Sequence, residues 1–312
     1  MEAATARLRR RPAQRGGYGR SERRLAAMML APSLLVIAAV AAYPIGYAFW
    51  LSLTEYSLRT PGLWRFAGFD NYSEAFSSPE FWDALTTTFV FSGISVALEL
   101  VIGLGMALCM HEAFKGRGLL RTVVLVPWAI LTVVTAITWR TIFEPGLGLA
   151  PVMLDKLGLP GADVVWLGQE PYALGVMIFA DVWKTAPFMA LLILAGLQVI
   201  PDELYDAAKV DGASAWQRFR RITLPLLRPA ILVALIFRTL DALRIFDLPF
   251  VLTQGANGTT TLSLIAQQEL TTNRLIGLGS ALSILTFLIV MAVAFIYIWT
   301  VGGNIRALAE ET

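Results

Sequence analysis

Apolar positions in this chain do not alternate with polar ones at the period of a strand. They gather into six long runs divided by polar connections. A helix needs about 20 apolar residues to cross the hydrocarbon core of a bilayer. By that measure the pattern predicts spans at 25–53, 85–110, 119–142, 173–199, 225–252 and 275–301. A membrane barrel would show shorter, alternating segments, and those are missing. Two connections, 54–84 and 143–172, are long enough for small folded caps. The expected fold class is therefore an all-α membrane protein with six transmembrane helices. Its expected parts are a basic tail (1–24), a six-span region (25–301) and a short second tail (302–312).

Composition agrees: 56% of residues are apolar and 15% charged, with a mean hydropathy of +0.64, against roughly a quarter charged in soluble domains. The first run is longer than the 7–15 or so residues of a signal-peptide core, and its AVAA is a weak cleavage cue, so it reads as an uncleaved span. The lone Cys109 excludes an intramolecular disulfide framework.

Cations near span ends stay on the cytoplasmic side. Arg7, Arg9, Arg10, Arg11, Arg15, Arg20, Arg23 and Arg24 precede the first run, Lys115, Arg117 and Arg121 follow the second, and Lys209, Arg218, Arg220, Arg221 and Arg228 precede the fifth. The other connections carry only Arg59, Arg65, Lys156 and Arg274. Both termini and the connection at 200–224 are expected in the cytoplasm, in a multi-pass membrane protein. The arginine-rich tail serves topology and lipid headgroups rather than nucleic acid.

Little in the chain speaks for catalysis. No GxxxxGK[ST] loop is present, and no GxGxxG follows a strand-like run, so no nucleotide site is expected. His111 has no metal-spaced partner, and no Ser or Cys lies in a nucleophile motif. No metal or cofactor is expected on this chain. Asn71-Tyr72-Ser73 and Asn257-Gly258-Thr259 match the glycosylation spacing, which is common by accident.

The stretch DAAKVDGASAWQRFRRITLPLLRP, residues 206–229, is polar where its flanks are apolar. From Pro201, with Asp202 and Glu203 in a first turn where the helix dipole favours acids, it predicts a short helix. Gly212 supplies the left-handed stop. Trp216, Phe219 and Ile222 then mark one apolar face of a second short helix, with arginines on the other. Pro225 and Pro229 fall in the opening turns of the fifth span. Physically, this is either an amphipathic helix lying on lipid or a docking site for another protein.

Here the chain resembles a known family. Asp206-Ala207-Ala208, three residues, Gly212, nine residues, Ile222, one residue, Leu224-Pro225 is similar to the EAA signature of permease subunits of bacterial ABC importers. The departure is Asp206, where that signature has Glu. APSLLVI and YPIGYAFWLSL in the first span, DVWKTAPFM at 181–189 and FRTLDALRIFDLPFVLT at 237–253 resemble the sugar-importing branch, in particular the permeases of trehalose importers. The resemblance implies a type I importer permease fold and places Asp206, Ala207, Ala208, Asp211 and Gly212 against an ATPase subunit. It also implies the partners: a second homologous permease, two ATP-binding cassette subunits that hold ATP and Mg, and an external sugar-binding lipoprotein.

Ionisable residues inside spans are expensive and mark either internal pairs or a polar pathway. Arg238, Asp241, Arg244 and Asp247 alternate in sign every three residues, which predicts neighbouring opposite charges along one helix. Asp181 and Lys184 are also three apart, Arg140 ends the third span, and Glu99 lies alone in the second. For each, a bundle-locking ion pair and a place on the sugar pathway remain open readings, with Phe246, Phe250, Trp139 and Trp183 available to stack on a sugar. The connection TQGANGTTTLS at 253–263 has the composition of a flexible backbone. By the resemblance it faces the binding protein, with Gln254 and Asn257 as candidate contacts. A secondary carrier or channel for a small polar solute is the rival reading.

Overall fold

The computed structural model describes residues 20–60, 62–112 and 115–310. Most of the basic tail on which the orientation reading rests lies outside these residues, as do 311 and 312. The chain divides into two units, residues 1–48 and 49–312. In the first, α1 (Arg20–Ile37) passes through a π-helical turn at Ala38–Ala42 into α2 (Tyr43–Ser52), whose end belongs to the second unit.

The second unit opens with a cap, an antiparallel hairpin of β1 (Thr54–Tyr56) and β2 (Trp64–Phe66), then α3 (Asp70–Ser77). Asn71 closes it from a buried position: its Nδ2 donates to the carbonyls of Ser52 at 2.8 Å and Thr54 at 2.9 Å. That Asn is a structural pin. After the cap come α4 (Pro79–His111), α5 (Arg117–Ala129), α6 (Thr132–Ile142), α7 (Leu149–Lys156) and α8 (Tyr172–Leu197). The polar connection holds α9 (Asp202–Val210) and α10 (Ala215–Arg218), a π-helical turn at Phe219–Thr223, and α11 (Leu224–Ala242). The remainder is α12 (Asp247–Leu252), α13 (Leu262–Gln267), a π-helical turn at Gln268–Thr272 and α14 (Ile276–Glu310).

Among the described residues five helices are long and apolar enough to cross a membrane, and a sixth span is reached by counting the pair α5 and α6, bent by 89°, as one. The bend corrects the single span expected at 119–142. Pro127 withdraws one N–H from the helical ladder, and Ile130 and Leu131 then run extended before α6 begins. The fifth span is likewise displaced from the expected 225–252. It begins at Ala215, so the predicted second amphipathic helix is its first turns, and it ends at Ala242. The end has a local cause. Pro249 has no N–H to offer the carbonyl of Ile245, four residues earlier, and the hydroxyl of Thr261 donates to that carbonyl instead, at 3.0 Å.

The core lies where α4 and α8 run along each other and α11 packs on both. Lipid tails give apolar side chains no reason to leave them, so close backbone approach must hold such a bundle together. Small residues provide it: a Cβ on Gly103 of α4 would stand 2.9 Å from the Cβ of Met189 on α8, and one on Gly196 of α8 would collide with Ala230 of α11. Gly175, on the same α8, faces open space. Gly196→Leu is therefore expected to overpack the α8–α11 contact by at least about 1–3 kcal/mol and lower the yield of monodisperse protein on size exclusion. Gly175→Ala should leave yield and melting temperature unchanged. Equal behaviour of the two would refute this account of the packing.

Candidate functional site

The polar connection is built as two helices around a glycine. Gly212 adopts φ 78°, its N–H donates to the carbonyl of Lys209 at 3.0 Å, and the next N–H, of Ala213, reaches back to Ala208 at 2.9 Å. That is the paired hydrogen bonding of a Schellman stop, which satisfies the last carbonyls of α9. Ser214 then starts α10 with a capping box: Ser214 Oγ accepts from Gln217 N–H and Gln217 Oε1 accepts from Ser214 N–H. A single residue, Ala213, thus separates the stop at Gly212 from the cap at Ser214. The hydroxyls of Tyr205 and Thr223, 3.0 Å apart, tie α9 to the foot of α11. Asp206, Ala207, Asp211 and Gly212 are exposed, and Ala208 is half-buried. Asp206 reaches Lys209 Nζ at 2.9 Å, a surface pair worth little by itself. Leu204, Val210 and Trp216 are exposed nearby.

Deep in the bundle, Arg238 on α11 is 2% exposed. Its guanidinium meets Glu99 of α4 through two bonds, Nε to Oε2 at 2.5 Å and Nη2 to Oε1 at 3.0 Å. Nη2 also donates to Asp181 of α8, and Nη1 to Asp241 one turn on, at 2.9 Å. Thr185 completes the group by donating to Glu99 Oε1 at 2.6 Å. One cation thereby joins carboxylates from the three helices that form the core. Asp241 alone among them opens outward, its side chain 70% exposed.

Two sequence expectations are corrected here. Asp181 pairs with Arg238 and not with Lys184, which is half-buried on α8 and forms no ion pair among the described residues. The four-charge series is one rung, Arg238 with Asp241, because the helix that would have carried it on stops at Ala242. Arg244 turns back to the carbonyl of Leu240 at 3.1 Å, and Asp247 opens α12, where the helix dipole favours it. Glu99, solitary by its spacing in the sequence, is the bidentate partner of Arg238, and Thr185 joins the group with no pattern in the sequence to mark it. The signal for Glu99 was present, since a carboxylate deep in a span requires a donor.

A second group, on α6 and α8, is aromatic. Trp139 of α6 meets Phe179 edge-on with ring centroids 5.0 Å apart, and Trp183 at 5.6 Å, both on α8. Phe246 and Phe250 stack at 5.2 Å. Arg140 donates to the carbonyl of Val251 at 3.3 Å, tying α6 to α12. The 253–263 connection is braced, contrary to its flexible composition. Asn257 Nδ2 donates to the carbonyl of Leu167 at 2.9 Å, Gln268 Nε2 to that of Gln254 at 3.3 Å, and a Cβ on Gly258 would strike Glu170. Gln254 and Asn257 both hold positive φ, 57° and 58°, which suits Asn more than Gln.

Residues 99–302 match the family model described as a binding-protein-dependent transport system inner membrane component. The chain is 46% identical over 289 residues to the trehalose transport system permease protein SugA of Mycobacterium tuberculosis, covering 93% of this chain and 92% of that one. It is 45% identical over 279 residues to the trehalose/maltose transport system permease protein MalF of Thermococcus litoralis, covering 89% and 93%. Among solved structures it superposes, with TM-score 0.76 and 26% identity, on a chain of a bacterial ABC transporter involved in import of the acidic polysaccharide alginate, covering 89% and 94%. The reading as a secondary carrier or channel falls with these matches. The chain belongs to the family of binding-protein-dependent transport system inner membrane components, and its fold is the all-α type I importer permease fold.

Proposed function

We propose that this chain is one of two permease subunits of an ATP-driven importer that passes a sugar, a disaccharide of the trehalose kind, from an external binding protein into the cytoplasm. The observation that carries the reading is the exposed α9–Gly212–α10 turn at the foot of the helix bearing Arg238. In support, the two relatives above are named for trehalose and trehalose/maltose transport. The alginate transporter that shares the fold has also been solved with a sugar-loaded periplasmic protein. ATP and Mg would reside on two ATPase subunits, which would dock at Asp206, Ala207, Ala208, Asp211 and Gly212. Both termini and this turn would face the cytoplasm, and the 253–263 connection, with Gln254 and Asn257, would face the binding protein.

The sugar would pass between the two permeases. On this side of the path Asp241 is the exposed carboxylate fixed by Arg238, and Lys184, Arg140, Arg244, Phe246 and Asp247 lie on neighbouring elements. Glu99, Asp181 and Arg238 would serve mainly as the lock that holds Asp241 in place. A preorganised acceptor with aromatic faces nearby is what a polyhydroxylated ligand requires.

Four measurements test these assignments. Reconstituted with its partner subunits, the transporter should take up trehalose only with ATP, and vanadate should stop it; ATP-independent uptake would defeat the importer reading. Gly212 has room for a Cβ but holds positive φ, so Gly212→Asn should keep most uptake whereas Gly212→Val should lose it together with substrate-stimulated ATP hydrolysis. Normal uptake in the valine variant would remove the turn from coupling. Arg238→Met strands two buried carboxylates and should cost about 3–5 kcal/mol, read as a fall in melting temperature. Asp241→Asn keeps an acceptor for Arg238 and should keep the fold while raising the KM for uptake several-fold. An unchanged KM would take Asp241 off the pathway.

A further inference from the structure

Beside the α9–α10 turn, between it, the His111 end of α4 and the start of α5, lies a cleft of about 1210 Å³. Small-molecule sites commonly run to roughly 300–1,000 Å³, so it has room for an organic ligand. Arg117, Arg121 and Arg218 are half-buried in its walls, and none forms an ion pair among the described residues. Arg121 Nη2 donates to the carbonyl of Met110 at 2.9 Å and Arg218 Nη1 to that of Ala213 at 2.7 Å. Those are single bonds from groups with five N–H each. The buried Nε of Arg121 has no acceptor, and Arg117 donates to nothing among the described residues.

Cations that only set topology would be solvated, and Lys115, Arg220, Arg221 and Arg228 are indeed exposed. The three cleft arginines differ from them in being drawn inward with no carboxylate partner among the described residues. The acids of the cleft, Glu112, Asp202 and Asp206, are all exposed, and Asp206 is held by Lys209. The inner wall is thus a set of guanidinium forks with unspent donors, a geometry that matches phosphate oxygens. Trp216 and Phe219, stacked with centroids 5.5 Å apart, add an aromatic wall for an organic moiety.

We infer that this cleft binds a phosphate ester of a sugar or polyol. The same chemistry is carried by a soluble phosphorylated sugar and by the glycerophosphate headgroup of an anionic lipid. The inference rests on the reading above only in taking this end as cytoplasmic. A ligand here bridges α9 to α4 and α5, so its occupancy restrains the turn proposed to meet the ATPase.

The test uses the full chain with its co-purifying subunits in phosphatidylcholine nanodiscs, which leave both faces open, so binding is scored whatever the orientation. Titration calorimetry with glucose 6-phosphate, with glucose as control and inorganic phosphate as competitor, should show saturable binding of the ester alone, displaced by phosphate. Arg117→Gln removes a side chain with no bonds to lose among the described residues, and should weaken binding about tenfold with unchanged monodispersity. If the natural occupant is a lipid, glucose 6-phosphate will bind little, while native mass spectrometry will find phosphatidylglycerol retained by the wild type and lost by the Arg117→Gln/Arg218→Gln pair. Neither ester held, or binding indifferent to these substitutions, overturns the site. That outcome with normal ATP-dependent uptake would leave the importer reading intact, and the reverse outcome would leave the site intact.

Discussion

The bundle is organised around one guanidinium. An isolated charge in hydrocarbon is costly enough that Arg238 can be buried only where carboxylates already wait for it, and Glu99, Asp181 and Asp241 do so. Each of α4, α8 and α11 contributes to that cluster, and Gly103 of α4 and Gly196 of α8 let the three approach closely. Geometry and charge therefore constrain each other. If the helices moved apart, the bidentate pair of Arg238 and Glu99 would open inside an apolar surrounding. If the charges were removed, α4 and α8 would have dispersion and small-residue contact alone to fix their register.

Hydropathy made the six spans legible because length and apolarity are summed properties, insensitive to a local break. For the same reason it missed the bends. A window over 119–142 does not register that Pro127 withholds an N–H, nor does one over 225–252 register that Pro249 leaves Ile245 to be satisfied by Thr261. The charge series shows how such a miss spreads. Spacing of three implies neighbours only on an unbroken helix, and Arg244 and Asp247 lie past the end of this one. Glu99 and Arg238, 139 residues apart in the chain, could be matched only by asking which donor lies at the same depth.

The turn at Gly212 was legible for the opposite reason. A left-handed residue after a helix is a local requirement that glycine meets almost alone, so sequence and structure carry the same information there. Connection 253–263 shows where locality fails. Its Gly, Asn and Thr content reports which backbone angles are open to it, whereas its shape comes from Leu167, Glu170 and Gln268. Composition marked adaptability, and distant contacts spent it.

A π-helical turn, Phe219–Thr223, interrupts the helix that carries Arg238 near its foot. A π turn accommodates one residue beyond the α-helical count, and at 3.6 residues per turn each residue is about 100° of azimuth. Ala215 to Arg238 is otherwise a single helical rod, roughly 35 Å at 1.5 Å per residue. The extra residue near its foot sets the rotational phase of everything above it. Arg218 grips the chain before that residue, through the carbonyl of Ala213, and Glu99 and Asp181 grip the rod beyond it at Arg238. The two grips coincide only for one phase, so the rod is keyed at both ends.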